Sequence, residues 1–192
     1  MMTPRRRPLK TLIRCVVAVI AFVAPVTAAQ QAGKPTPPRR VTTDHLQIAT
    51  YASHDAVAPG EPFSIVFDIR PRERMHVYAP GADGYRIITV ALARNPVLVT
   101  QPLQYPASEI YFFEPLNERV PVFQKPFRLT QPLAVSAAPA QRDAVAALDA
   151  VTIKGTLEYQ ACDDRICFAP TSVPVSYTIR IRPPDAARAG GA

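Results

Sequence analysis

The feature that most constrains the fold is an alternation of apolar and polar residues with a period of two. The apolar positions are Phe63, Ile65, Phe67 and Ile69 in one segment and Val173, Val175, Tyr177, Ile179 and Ile181 in another. Successive side chains of a β-strand point to opposite faces of a sheet, so this pattern predicts strands with one buried face. A third strong candidate covers residues 151–159, and its inward positions are Val151, Ile153, Leu157 and Tyr159.

Weaker strand candidates fill the region between these segments. They are residues 46–51, 76–79, 86–93, 96–100, 119–123 and 127–133. Turn pairs such as Pro59-Gly60 and Asp83-Gly84 separate them, and only residues 142–150 look helical. Many short strands at this spacing predict an all-β fold, an antiparallel β-sandwich formed by a single domain over residues 44–184.

The N-terminus has the pattern of an export signal. A cationic head of five basic residues precedes an apolar run at residues 16–26, and Val26-Thr27-Ala28 offers small side chains before a cleavage point. This pattern predicts a cleavable signal peptide over residues 1–28. The run is shorter than the roughly 20 residues of a membrane-spanning helix. We therefore expect a periplasmic protein without a stable membrane anchor, exported by the Sec route rather than the twin-arginine route.

Two further segments flank the predicted domain. Residues 29–43 are rich in Gln, Pro and Gly, which predicts a flexible leader, and residues 185–192 are expected to form a disordered tail. The formal net charge of +7 falls to +2 once the five basic residues of the signal are removed. Nucleic-acid binding needs a dense basic patch, so no nucleic-acid partner is expected.

The cysteine content points to one segment. Cys15 leaves with the signal, so the mature chain keeps Cys162 and Cys167, an even pair in an oxidising compartment where disulfides persist. Continuing the alternation of residues 151–159 puts Cys162 on the outward face and Cys167 in a loop before the next strand. We expect both sulfurs near the surface at one end of the sandwich.

The pair admits two interpretations, a structural staple and a reactive site. A loop of six residues contributes only about 2 kcal/mol through unfolded-state entropy, which is little for a staple. The charges are mixed, because Asp163 and Asp164 disfavour a thiolate at Cys162 whereas Arg165 favours one in the loop. Cys167 lies farther from the acids, next to Phe168, and is the better candidate to meet a partner.

The sequence YQACDDRICFAP at residues 159–170, followed by the alternating strand to Ile181, resembles the N-terminal periplasmic domain of the DsbD family of transmembrane disulfide reductases. A Tyr-Gln-x-Cys entry, a short loop, a second cysteine and a nearby proline carry the likeness. Upstream, residues 57–63 resemble the family's entry to an early strand. Residues 75–78 resemble its segment with an aromatic residue or His, one residue, then Tyr. The resemblance extends over residues 44–182.

The resemblance implies an immunoglobulin-like sandwich that accepts electrons from a membrane-embedded thiol reductase. It would pass them to periplasmic disulfide isomerases or to thioredoxin-like proteins of cytochrome c biogenesis. Cys162 and Cys167 would be the redox pair, and Cys167 would form the mixed disulfide. The residues expected to flank or cap the site are His76, Tyr78, Tyr111, Phe112 and Phe113. We expect a monomer whose redox-active disulfide is its only cofactor and whose electron donor acts in trans.

Two other functions remain open at this point. The domain could be a non-catalytic sandwich that binds a protein partner, with a structural disulfide in its loop. It could also handle Cu(I), because thiolate, thioether and imidazole ligands suit that ion and Met75, His76 and the two cysteines could supply them.

Overall fold

The computed structural model describes residues 33–114 and 117–183, and the strands of this part of the chain have the following bounds. In chain order they are β1 (Arg39–Thr42), β2 (Leu46–Ala52), β3 (Ala56–Val57), β4 (Pro62–Pro71), β5 (His76–Tyr78), β6 (Thr89–Leu92), β7 (Leu98–Thr100), β8 (Glu109–Phe113), β9 (Glu118–Phe123), β10 (Phe127–Val135), β11 (Ala150–Tyr159), β12 (Ala161–Cys162) and β13 (Thr171–Ile181). A 3-10 turn at Pro139–Gln141 leads into a short helix, α1 (Arg142–Ala146).

The strands form three sheets. Their orders are β1-β2-β4-β10-β7, β3-β13-β11-β6 and β12-β5-β9-β8. All paired strands run antiparallel except β3, which lies parallel to β13. The predicted all-β antiparallel sandwich is therefore confirmed.

One core joins the three sheets. Its largest fully buried side chains are Tyr159, Phe67, Leu46, Ile65, Ile69, Ile88, Leu129, Leu133, Ile153, Leu157, Ile179 and Val57. The inward positions predicted for β4, β11 and β13 are buried, and Ile181 of β13 is half-buried. The alternation in the sequence therefore correctly predicted which side chains of these strands face the core. Burial of these apolar side chains supplies the main stabilising free energy of such a fold.

Two hydroxyl pairs tie elements together across this core. Thr50 of β2 donates to the carbonyl of Val66 at 2.9 Å and also bonds Tyr177 of β13, so the Tyr177 hydroxyl is the donor to Thr50. Burial raises the pKa of Tyr177 to about 12. The Tyr159 hydroxyl lies 2.8 Å from Thr43 Oγ1, just before β2. These contacts give buried hydroxyl groups the partners they require.

The predicted flexible leader is wrong over its final residues. β1 pairs with β2 from Arg39 opposite Thr50 to Thr42 opposite Gln47, and the Thr36 amide donates to the Ala52 carbonyl at 2.9 Å. Backbone hydrogen bonds to an exposed sheet edge need no apolar side chains, so the composition of residues 29–43 gave no sign of this strand. The predicted signal peptide and C-terminal tail lie outside the described residues.

Other boundaries also differ. The helix ends at Ala146 instead of residue 150, because Ala150 already belongs to β11. The candidate at residues 86–93 shortens to β6, and β3, β8 and β12 were not predicted as strands. Within residues 33–114 and 117–183, no helix is long and apolar enough to cross a membrane.

Replacing Leu157 by Ala tests the core. The side chain is fully buried on β11, so the substitution should lower the free energy of unfolding by about 2–5 kcal/mol. Urea unfolding followed by circular dichroism measures the change. Lys154→Gln, on the exposed face of the same strand, is the control and should change it by less than about 0.5 kcal/mol. A loss below about 1 kcal/mol for Leu157→Ala would contradict the described packing.

Candidate redox site

A change of sheet at the end of β11 creates the site. β11 ends at Tyr159, Gln160 interrupts the strand, and β12 then pairs with β5 in the third sheet, with Ala161 opposite Val77 and Cys162 opposite His76. The chain returns to the second sheet at β13, which begins at Thr171. The cysteine segment thus lies against β5 at one end of the sandwich.

The two cysteines form a disulfide across a very small hairpin. Their Cα atoms are 4.1 Å apart, and their backbones face each other as an antiparallel bridge. The Phe168 amide donates to the Ala161 carbonyl at 2.9 Å, and the Asp163 amide donates to the Ile166 carbonyl at 3.0 Å. The hydrogen bonds of the hairpin therefore lie on both sides of the disulfide.

The two sulfurs differ in exposure, and here one sequence prediction is wrong. Cys162 is only 1% exposed, whereas Cys167 is exposed as predicted. The alternation of β11 stops at Gln160, because the chain turns there to join another sheet, and Ala161 and Cys162 are then buried in succession. Of the two cysteines, only Cys167 is exposed to solvent.

Both aspartates of the loop hold its shape. Asp163 Oδ1 accepts hydrogen bonds from the amides of Ile166 and Arg165, each at 2.8 Å, and these bonds lower the Asp163 pKa. Asp164 accepts two bonds from Arg74 Nη2, at 2.7 and 2.9 Å, and this pairing lowers the Asp164 pKa. Arg74 itself has a positive φ of 65° just before β5. The acids that the sequence suggested as electrostatic neighbours of Cys162 act mainly as turn and ion-pair groups.

Tyr78 contacts both sulfurs. Its hydroxyl lies 3.0 Å from Cys162 Sγ and 3.3 Å from Cys167 Sγ. Burial is the main cause that raises the Tyr78 pKa, so the phenol stays protonated across the physiological range. Its ring stacks on Tyr85 with centroids 4.0 Å apart, and the Tyr85 hydroxyl donates to Glu118 Oε2 at 2.5 Å.

His76 lies beside this tyrosine, between two aromatic rings. It is 4% exposed, with its ring centroid 5.7 Å from that of Tyr78 and 4.6 Å from that of Tyr111. Burial lowers the His76 pKa, and the nearby charge of Asp163 opposes this in part. The imidazole is consequently uncharged at neutral pH.

The aromatic segment predicted as a cap is a strand, β8, and its three rings diverge. Tyr111 and Phe113 line the cleft at the disulfide, a cavity of about 210 Å³. Phe112 points the other way, 40% exposed, with the Arg119 guanidinium 5.0 Å from its ring centroid. Two of the three predicted rings thus reach the site, and their role as a cap stays a prediction.

The remaining flanking residues separate into two groups. Arg165 lines the cleft with the cysteines, whereas Phe168 packs on His45, 4.6 Å between centroids, and contacts the main core. Sequence reasoning missed Arg74, Tyr85, Glu118 and Ile166. Ile166 lies in the cysteine loop, Arg74 and Tyr85 lie in the turns before β5 and β6, and Glu118 begins β9. Arg74, Tyr85 and Glu118 join the site through tertiary contacts, which no local sequence pattern encodes.

A metal centre finds no further support here. Within residues 33–114 and 117–183 no cluster of three or more His, Cys, Asp or Glu side chains could hold an ion. In the oxidised form described, the two sulfurs bond to each other and are not thiolate ligands.

The site is a solvent-accessible disulfide on a β-sandwich, held by a tyrosine, a buried histidine and a tight turn. The family model described as thiol:disulfide interchange protein DsbD, N-terminal, matches residues 44–178. The chain therefore belongs to this family, whose N-terminal domain has an immunoglobulin-like fold, as the sequence resemblance implied.

Two solved structures are similar to this chain. The N-terminal periplasmic domain of ScsB from Proteus mirabilis has 12% identity and a TM-score of 0.49, covering 78% of this chain and 52% of that one. The N-terminal domain of Neisseria meningitidis DsbD in its reduced form has 13% identity and a TM-score of 0.42, covering 74% and 84%. This chain thus spans about half the length of the ScsB chain. A comparison with curated proteins gave no match.

The burial of His76 predicts a specific pH dependence of stability. Its folded pKa lies below the ordinary value of 6.5, so the unfolded chain takes up a proton first as the pH falls. Stability should therefore decrease from about pH 6.5 down towards the folded pKa. His76→Phe, which keeps an aromatic ring, should reduce this loss.

Urea unfolding at about pH 7.5 and about pH 5.5 measures the difference. His54→Gln, which replaces a histidine outside the cleft, is the control and should lose as much stability between these two pH values as the parent protein. If the His76→Phe variant and the parent lost equal stability between the two pH values, His76 would not be the cause of the pH dependence.

Proposed function

We propose that this protein is a periplasmic thiol–disulfide exchange domain. It relays electrons from a membrane-embedded reductase, acting in trans, to thioredoxin-like or disulfide-isomerase proteins, including those of cytochrome c biogenesis. The Cys162–Cys167 disulfide is its redox centre. The single observation that carries the proposal is the asymmetry of this disulfide, because Cys162 is buried beneath Tyr78 whereas Cys167, which lines the same cleft, is exposed.

The asymmetry supports different tasks for the two cysteines. An incoming sulfur must reach its target in line with the bond that breaks, which requires an accessible atom. Cys167 meets that need, and its neighbour Ile166 is 57% exposed, an apolar contact for a docking partner. Cys162 is covered by Tyr78 and paired with β5, and in this proposal it resolves the mixed disulfide from inside.

In the proposed function, a partner disulfide is reduced in two steps. The Cys167 thiolate attacks one sulfur of a partner disulfide, an intermolecular disulfide forms, and the other partner sulfur leaves as a thiolate that takes a proton from water. Cys162 then loses its proton to water, and the resulting thiolate attacks Cys167 Sγ. The Cys162–Cys167 bond forms and the second partner thiolate is released. Two electrons have moved, so this domain is oxidised and the partner is reduced.

The alternative of a structural staple is less well supported. The disulfide closes a loop of six residues, so the chain-entropy contribution is about 2 kcal/mol. The same hairpin already has two backbone hydrogen bonds and the Asp163 turn. A bond placed for stability would link distant parts of the sandwich instead.

The export signal completes the proposal. Residues 1–28 would direct the chain through the Sec route and be removed, so that the domain works in the oxidising compartment where its disulfide forms.

Trapping a partner tests the proposal directly. In the Cys162→Ala variant Cys167 can form a mixed disulfide that nothing resolves, so incubation with periplasmic extract should give complexes that dithiothreitol releases. Cys167→Ala is the matched control. Its remaining thiol is buried, and it should trap far less. Failure of Cys162→Ala to trap any protein, or equal trapping by both variants, would sink the proposed roles.

The reduction potential provides an independent test. A working exchange disulfide should equilibrate with glutathione or thioredoxin, at a potential above about −300 mV, whereas inert structural bonds lie below that value. Equilibration with dithiothreitol redox buffers, read by thiol alkylation, gives the number. A potential well below this limit would favour the protein-binding module with a structural disulfide.

A further inference from the structure

The backbone of Cys167 is turned away from the hairpin that carries it. Cys162 and Cys167 face each other as an antiparallel bridge, and the two hydrogen bonds of the hairpin link the residues before and after them. A pair flanked in this way makes no backbone hydrogen bonds of its own, so the N–H and C=O groups of both residues point outwards. Beyond Cys162 lies β5, with His76 opposite the cysteine. Beyond Cys167 no further strand follows in this sheet.

The residues on either side of the exposed cysteine have the opposite orientation. The Ile166 N–H donates to Asp163 Oδ1 at 2.8 Å, and the Ile166 carbonyl accepts from the Asp163 amide at 3.0 Å. The Phe168 N–H donates to the Ala161 carbonyl at 2.9 Å, and the Phe168 carbonyl accepts from Gln160 Nε2 at 3.2 Å. All four of these backbone groups are therefore used inside the hairpin.

The N–H and C=O of Cys167 form a sheet edge that is one residue long. Neither group has a hydrogen-bond partner in the part of the chain that the structure describes. Unpaired backbone groups at a sheet edge are a template for pairing with another strand. Solvent reaches this edge, because Ile166, Cys167, Ala169 and Pro170 are all exposed.

The spacing of an antiparallel pair suits a disulfide at this edge. Two residues that exchange both backbone hydrogen bonds have Cα atoms about 5.5 Å apart, with their side chains on the same face of the sheet. Disulfide-bonded cysteines most often have Cα atoms about 5.5–6 Å apart. A partner cysteine directly opposite Cys167 would therefore lie within bonding distance of Cys167 Sγ.

The same pairing sets the direction of attack. Cys162, Cys167 and the partner cysteine would form one row across three neighbouring strands, with all three side chains on one face. The partner sulfur then approaches Cys167 Sγ from the side away from Cys162 Sγ. In exchange through Cys167, Cys162 Sγ is the sulfur that leaves, so the attacking and leaving sulfurs lie on opposite sides of the one attacked.

We propose that Cys167 binds its substrate as a one-residue sheet edge, and that the substrate class is a cysteine in an extended segment of another chain. The N–H and C=O of that cysteine pair with the C=O and N–H of Cys167. The inference rests on the proposed function in one respect, that Cys167 is the exchanging sulfur. It adds a class of partner that is defined by backbone conformation.

The step in the oxidised domain is a single exchange. The thiolate of the partner cysteine attacks Cys167 Sγ, the intermolecular disulfide forms and the Cys162–Cys167 bond breaks. Cys162 leaves as a thiolate and takes a proton from water.

Three short acetylated and amidated peptides serve as probes. Each has one cysteine between β-branched residues, which favour an extended backbone. The first is unmodified, the second is N-methylated at the cysteine, and the third is N-methylated at the residue before the cysteine. In the proposed pairing the cysteine N–H faces the domain, whereas the N–H of the preceding residue points the other way. The third peptide is therefore a control with the same added methyl group.

The measurement uses the Cys162→Ala variant with Cys167 converted to its mixed disulfide with glutathione. Chromatography under non-reducing conditions gives the equilibrium constant for exchange with each peptide. The exchange of the same peptides with glutathione disulfide corrects for differences between their thiols. N-methylation at the cysteine should lower the corrected constant about fivefold, the net effect of losing one hydrogen bond. The control peptide should match the unmodified one.

Equal corrected constants for the unmodified and N-methylcysteine peptides would overturn the proposal. An equal loss with the control peptide would also overturn it, because the added bulk and not a hydrogen bond would then be the cause. Both results would leave Cys167 as an exchanging sulfur. Failure of glutathione and all three peptides to form a mixed disulfide with Cys162→Ala would instead overturn the proposed function, and this inference with it.

Discussion

The ladder between β11 and β13 is the interaction on which the rest of the structure depends. It runs for ten residue pairs, from Ala150 opposite Arg180 to Tyr159 opposite Thr171, and buries alternate side chains of both strands in the core. The two strands diverge only at the cysteine segment. Because the ladder fixes both ends of residues 160–170, the segment between them leaves the sandwich at a defined place and angle.

That placement makes one end of the sandwich chemically asymmetric. Gln160 lets the chain leave the second sheet, β12 joins β5, and Cys162 arrives beneath Tyr78 while Cys167 stays outside. The site thus draws on two sheets and a loop. A second small cluster of buried side chains around Tyr78 and Val122, separate from the main core, supports it. Accessibility and hydrogen bonding, rather than the presence of two cysteines, make the environments of Cys162 and Cys167 different.

Sequence alone was sufficient where one periodicity governed a whole element. The buried faces of β4, β11 and β13 follow from it, and so does the exposed position of Cys167. It failed where backbone pairing or a change of sheet decided the outcome. β1 lacks an apolar pattern because it only adds to an edge, and Cys162 turned inward because the alternation stops at Gln160. Tyr85 and Glu118 meet through a tertiary contact between distant segments, which no local pattern encodes.

The hairpin around the disulfide has a consequence for the kinetics of the proposed exchange. Its two backbone hydrogen bonds, the Asp163 turn and the Arg74–Asp164 pair do not involve sulfur, so reduction of the disulfide does not itself break any of them. The two thiols are then held at a high effective concentration by the chain itself, and closing the ring costs little conformational entropy. A scaffold of this kind can cycle between its oxidised and reduced forms without refolding, since the backbone is already arranged for both.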